Sequence, residues 1–195
     1  MKKLLILILS FTMLSFISVN SEYKAASYII ENNSKISING STNVSTFDCI
    51  LNFTDAKSSV TAIFQISGNK IKFEDAKLNL ANSSFDCGNK SINKDFLEML
   101  STNNYPNIVL DLKEITKSPN NENEILALVN ISLAGCSKFY SVRLNTAQGK
   151  SLKATGILKL KLSDFNLKPP KKVLGLIVVE DTLEINLDLN MKPLQ

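Results

Sequence analysis

The chain contains no histidine and no tryptophan. The first absence excludes the most chemistry. Without an imidazole there is no Ser-His-Asp or Cys-His nucleophile system, and no zinc or iron site of the kind histidine completes. A Ser-Lys dyad could stand in for a triad, but no serine is set apart by its context and no acid pair is clustered for general acid–base work. Cysteine is scarce as well: there are three in 195 residues, without the close spacing that metal sites favour. No enzymatic activity, metal or other cofactor is therefore expected.

An excess of one charge is also missing. The 22 basic and 18 acidic residues leave a formal charge of +4. The basic residues are scattered and not interleaved with aromatic stacking residues, so nucleic acid is not an expected partner. Lys168, Lys171 and Lys172 gather around Pro169-Pro170, a pattern that reads as a solvated turn.

Long apolar runs occur once, at the start. Lys2-Lys3, an apolar stretch from Leu4 to Val19, then Asn20 and Ser21 form the three-part pattern of a secretory signal peptide. The stretch is shorter than the ~20 residues of a transmembrane helix, and no cysteine follows it to carry a lipid. Cleavage near Ser21 would leave about 174 residues (195 minus 21) with a charge of +2 (20 minus 18). We read residues 1–21 as a leader and 22–195 as one domain, with no stable membrane span after leader removal. Its expected location is the bacterial periplasm or the exterior.

In that compartment cysteines pair. Phe47-Asp48-Cys49 and Phe85-Asp86-Cys87 share a context, so a Cys49–Cys87 disulfide is the first reading. Cys136 would then stay unpaired and is expected to be buried as a small apolar residue.

What is abundant is alternation. Ile36 and Ile38; Val60, Ala62, Phe64 and Ile66; Ile71 and Phe73; and Leu78 and Leu80 repeat at strand period, with a slip at Asp75-Ala76 that suggests a bulge. Later segments follow the rule more strictly: Ile125 to Leu133, Val142 and Leu144, Leu158 to Leu162, and Leu183 to Met191. Tight Gly and Asn turns such as Ser67-Gly68-Asn69-Lys70 join them, which argues an antiparallel meander closed into a barrel or stacked as a sandwich. The longest strands favour a barrel of about eight strands, wide enough for one small ligand. Asn39, Asn43, Asn52 and Asn130 match the glycosylation sequon, as chance allows in so Asn-rich a chain.

One helix interrupts the strands. Phe96, Leu97, Met99 and Leu100 follow Asn93, the expected N-cap, with Asp95 favourable against the helix dipole. Asn103 and Asn104 would stop this helix. Pro106 excludes helix at Tyr105, and Ile108, Leu110 and Leu112 resume the strand period. The helix should cap or flank the barrel.

Ser34 to Cys49, Asn93 to Ile115 with Tyr105-Pro106-Asn107-Ile108, and Asn130 to Leu144 resemble, in order and spacing, the YceI-like family of lipid- or polyisoprenoid-binding periplasmic proteins. So does Leu162 to Leu167 followed by Gly175 and the last strand. The chain departs from the family in lacking a Trp between Tyr23 and Ile30 and in reading Gly135-Cys136-Ser137-Lys138 at one turn. The resemblance implies a mainly β, lipocalin-like antiparallel barrel with a hydrophobic cavity that binds an isoprenoid or similar amphiphile without catalysis.

With one apolar face per strand turned inward, the expected lining includes Phe64, Phe73, Ile108, Leu110, Val129, Ile131, Leu144, Leu160, Ile185 and Leu187. A homodimer is compatible with the pattern. The alternative is a cell-surface structural or interaction module with a filled barrel, using the loop from Lys117 to Glu124 as its contact surface.

Overall fold

Alternating side chains make strands here because each has one face to bury, and the sheet that results closes on itself. The structure, a computed structural model, describes residues 22–53, 58–168, 171–172 and 176–194. Residues 1–21, read above as a leader, Pro169-Pro170 and Gly175 lie outside the described residues. The strands are β1 (Lys24–Ile30), β2 (Lys35–Ser41), β3 (Thr46–Asn52), β4 (Ser59–Ser67) and β5 (Lys70–Ala81). After helix α1 (Lys90–Met99) come β6 (Asn107–Lys117), β7 (Glu124–Leu133), β8 (Cys136–Gln148) and β9 (Leu152–Lys161). The short pair β10 (Lys171–Lys172) and β11 (Ile177–Val178) precedes the last strand, β12 (Thr182–Pro193). Among the described residues, no helix is long and apolar enough to cross a membrane.

The antiparallel order β1-β4-β5-β6-β7-β8-β9-β12 returns to β1, giving a closed barrel of eight strands, as expected. The strand β12 makes the closure. One edge pairs along its length with β9; the other is shared, Glu184–Asp188 with β2 and Met191–Pro193 with β1. The step from β1 to β2 is held by buried polar groups: Ser34 Oγ accepts from Asn190 N (2.9 Å), and Glu31 N donates to the Asn190 carbonyl (2.8 Å). Burying these groups is tolerated because they are bonded. The hairpin β2–β3 extends the wall beyond the ring.

The bulge expected near Asp75-Ala76 is present. Ile63 and Phe64 are consecutive, yet they oppose Asp75 and Phe73, so Glu74 is the extra residue. It switches the inward set of β5 from Ile71 and Phe73 to Ala76, Leu78 and Leu80. A second bulge, not foreseen, makes Lys113 the extra residue in β6, since Leu112 and Glu114 oppose Val129 and Leu128. The inward set there runs Ile108, Leu110, Leu112 and then Ile115.

The helix begins earlier than its apolar spacing suggests. Its N-cap is Asn89, whose Oδ1 accepts from Ser91 N at 2.8 Å. Asn93, the expected cap, lies inside the helix. Its Oδ1 accepts from Cys87 N (2.6 Å) and its Nδ2 donates to Asp86 Oδ1 (3.0 Å). Two Asn residues compete for the capping role, and the turn after Cys87 takes the second one. Donation from Asn93, then from the Gly88 backbone, holds the Asp86 carboxyl below its ordinary pKa. The helix ends at Met99, before Asn103-Asn104, with Ser101 in the left-handed region (φ 49°). Replacing Asn89 with Ala should cost about 1 kcal/mol, read as a fall in melting temperature of roughly 2–4 °C by circular dichroism.

Cys49 and Cys87 are joined by a disulfide. Beside them Ile50 and Asp86 exchange backbone hydrogen bonds of 2.8 and 2.9 Å. These links bridge β3, the outer strand of the β2–β3 hairpin, to the chain entering α1.

Candidate functional site

The β5–β6 connection carries α1 to one end of the barrel, which also receives the β7–β8 turn and the β9–β12 connection. Phe96 of the helix and Leu100, its C-cap, are buried there with Phe85, whose ring lies 5.5 Å from that of Phe96. Among the described residues no helix or strand crosses the opposite end, where the hairpin β4–β5 and the β6–β7 and β8–β9 connections form a rim.

Between these ends lies a cavity of about 380 Å³. All ten expected lining residues are on its wall: Phe64, Phe73, Ile108, Leu110, Val129, Ile131, Leu144, Leu160, Ile185 and Leu187. Ile108, Ile131 and Leu160 are buried, whereas the other seven are half-buried. The rings of Phe64 and Phe73 are 5.8 Å apart across β4 and β5. A filled interior, as a purely structural module would have, is not what the barrel contains.

Several wall residues were not foreseen. Tyr28 and Ile30 come from β1, whose segment Lys24–Ile30 lacks clear alternation, and Ile115 stands beyond the unforeseen bulge. Phe85, between a short 3-10 turn (Asn82–Ser84) and the disulfide, has no periodic neighbours to mark it. Phe96 and Met99 of the helix and Leu100, its C-cap, do reach the cavity, as a plug would.

The chemistry of this wall is restricted. Among the described residues its only hydroxyl groups belong to Tyr28 and Thr146, and no lining residue is Asp, Glu, Lys or Arg. Thr146 lies towards the rim, donating from Oγ1 to the Asn123 carbonyl at 3.4 Å. Such a surface can exclude water and hold apolar groups. Among the described residues there is no group of three or more Cys, Asp or Glu side chains placed to hold a metal ion. The loop between Lys117 and Glu124 folds on itself through Ser118 N to the Glu124 carbonyl (3.1 Å) and Asn123 N to Asn121 Oδ1 (3.0 Å); it touches the wall residue Thr146 through the Asn123 carbonyl but contributes no lining residue itself.

The wall has one further irregularity. The β8–β9 ladder covers only Leu144–Gln148 against Leu152–Gly156, although β8 reaches back to Cys136 and β9 on to Lys161. Beyond the ladder a 3-10 turn, Leu162–Phe165, lies against both strands. The Tyr140 hydroxyl donates to Asp164 Oδ2 (2.5 Å) and accepts from the Lys161 backbone N–H, and its ring stacks on Phe165 at 6.0 Å. Cys136 is unpaired here and only half-buried, with Sγ 3.8 Å from the Asp164 carbonyl and 3.9 Å from Asn166 Nδ2. Full burial was expected; the position fails to give it because Cys136 begins β8 where no β9 partner covers it.

Desolvation first, and then donation to Asp164, pushes the Tyr140 phenol up to about 12. Its folded pKa therefore lies above the ordinary value of 10.0. The stabilisation linked to that shift is complete below the unfolded pKa and is lost as pH rises from 10 to about 12. Urea unfolding at about pH 8 and about pH 11 should show a smaller alkaline loss of stability in Tyr140→Phe than in the unmodified protein.

The comparisons with known proteins agree with this geometry. A family model described as a YceI-like domain matches residues 27–191. BcnA of Burkholderia cenocepacia superposes with a TM-score of 0.58 at 19% identity, covering 80% of this chain and 95% of that one. A polyisoprenoid binding domain from Saccharophagus degradans, implicated in plant cell wall breakdown, gives 0.60 at 12% identity, with 85% and 97% covered. The YceI protein of Campylobacter jejuni gives 0.51 at 16% identity, with 69% and 80% covered. No curated protein matches the chain. At these identities the structures speak for the fold alone.

Proposed function

Since the chain belongs to the YceI-like family, we propose that it is an exported, non-catalytic protein that holds an isoprenoid or similar amphiphilic lipid in the barrel. The carrying observation is the wall itself: apolar side chains from every strand of the ring, two hydroxyls and no ionisable carboxylate or amine. Burying about 400 Å² of apolar ligand surface contributes on the order of 10 kcal/mol before association and ordering costs. That suffices for useful affinity without many polar contacts. Specificity would follow cavity shape, with Tyr28 and Thr146 the groups available to an uncharged head.

Support for the ligand class comes from the wall's chemistry and from the Saccharophagus degradans neighbour, described as polyisoprenoid binding. Export rests on the leader pattern at 1–21 and agrees with a disulfide, which persists in oxidising compartments. Native mass spectrometry of protein purified from its own host should find an added mass that organic extraction releases. Recovery of no lipid, together with no uptake of a fluorescent isoprenoid by the purified protein, would overturn the reading.

A further inference from the structure

The β9–β12 connection forms a small flap at the end of the barrel that α1 occupies. In it β10 pairs with β11, which sets Lys171 opposite Val178 and Lys172 opposite Ile177. Asn43, in the turn between β2 and β3, fastens the flap with both ends of its amide: Nδ2 donates to the Leu176 carbonyl (2.8 Å) and Oδ1 accepts from Val178 N (3.1 Å). A Thr42–Val179 bridge and a bond from Glu180 N to the Ser41 carbonyl (2.8 Å) continue the seam. The β2–β3 turn and β11 are thus one joined surface.

That surface is apolar and uncovered. Leu176 is 71% exposed, Val44 in the turn is 66% exposed, and Val178 is exposed as well. Single exposed apolar side chains are ordinary, but three brought together by bonded backbone make a patch. Val44 is held there, since Thr42 Oγ1 accepts from Val44 N (3.2 Å) and from Ser45 N (2.9 Å).

The charge around the patch has one sign. From Phe165 to Val179 the sequence holds Lys168, Lys171 and Lys172 and no acid, and from Gly40 to Phe47 it holds no charged residue. Lys168 is exposed. Glu180, the next acid along the chain, has its carboxylate bonded to Ser41, whose Oγ donates to it at 2.8 Å. Aliphatic side chains beside clustered lysines suit an anionic bilayer, where apolar groups enter the headgroup region and ammonium groups meet lipid phosphates. Nucleic acid would meet the lysines and leave the aliphatic side chains in water.

We propose that the flap and the β2–β3 turn form a docking surface for an anionic lipid bilayer, with Val44, Leu176 and Val178 entering the headgroup region and Lys168, Lys171 and Lys172 at its phosphates. Docking needs no ligand in the cavity, so it stands apart from the lipid-binding reading. It sets the α1 end of the barrel towards the bilayer and the open rim away from it.

The test uses the chain from residue 22, because the apolar stretch from Leu4 to Val19 would itself bind a bilayer. Vesicles of phosphatidylcholine and phosphatidylglycerol in equal parts should carry the protein down on sedimentation, whereas vesicles of phosphatidylcholine alone should not. The combined substitution Lys168→Gln, Lys171→Gln and Lys172→Gln should weaken that binding about 100-fold, since each lysine at an anionic surface contributes roughly fivefold. Leu176→Ser should weaken it about tenfold. Both variants should keep the circular dichroism of the unmodified chain. No sedimentation with the anionic vesicles would overturn the proposal, and so would equal binding to both kinds of vesicle or unchanged binding in either variant. A dimer in sedimentation velocity that Leu176→Ser dissociates would also overturn it, making the patch a contact between copies of the chain. Farnesol uptake on the same samples reads the cavity separately: its absence with selective anionic-vesicle binding intact would remove the lipid-binding reading and uphold the docking surface.

Discussion

Phe64→Asp is expected to weaken binding of an uncharged fluorescent isoprenoid by about 100-fold or more, close to 3 kcal/mol, while leaving the barrel folded. The position explains both halves of that result. Phe64 is half-buried on the cavity wall, so in the free protein a carboxylate placed there keeps contact with water. A bound chain would displace that water, and the wall offers no cation to replace it. The stack on Phe73 is lost as well. Fluorescence titration measures the affinity and circular dichroism reports the fold; an unchanged affinity would remove Phe64 from the binding surface. Ile131→Asp makes the contrast, because Ile131 is 2% exposed. There the charge has no water in the folded state, and the cost falls on stability first.

The second large effect concerns the disulfide. Replacing both Cys49 and Cys87 with Ala should lower stability by about 4 kcal/mol in the chain-entropy description, for a sequence separation of 38. For a protein of this size that is a fall in melting temperature of roughly 8–16 °C. Both sulfurs lie in the core, Cys49 at 0% and Cys87 at 6% exposure, so the lost bond comes with lost packing. The helix should feel it most, because the chain entering α1 is tied to β3 by this bond and by the short Ile50–Asp86 bridge. Thermal melts with and without reductant test the point. Equal melting temperatures for the oxidised and reduced protein would show that the bond contributes nothing to stability.

The inward faces were legible because period-two alternation is a local property, and burying one face of a strand imposes it residue by residue. Ile125 to Leu133 and Leu183 to Met191 therefore read correctly along their whole length. The bulge at Glu74 was visible as a broken alternation, whereas Lys113 was not, because Leu112, Lys113, Glu114 and Ile115 can be read as the end of a strand. The cap at Asn89 was hidden by competition between two asparagines, decided by the turn after Cys87. Tyr28 and Ile30 were missed because β1 is defined by its partners β4 and β12 rather than by its own pattern. Pairing between distant segments leaves no local trace, and the split between β8 and β9 is invisible for that reason.

The shared edge of β12 has a consequence for how the protein acquires its interior. β12 is the last strand of the sheet in chain order, and it alone joins β9 to both β1 and β2. Until Thr182–Pro193 docks, the earlier strands form an open sheet with two unsatisfied edges and no enclosed volume. Such edges invite pairing with other chains, and contacts as distant in sequence as Ser34 with Asn190 form slowly. On the proposed lipid-binding function, ligand capture is then a late event, coupled to the docking of one strand, and chains stopped short of that strand should aggregate rather than persist as half-built barrels.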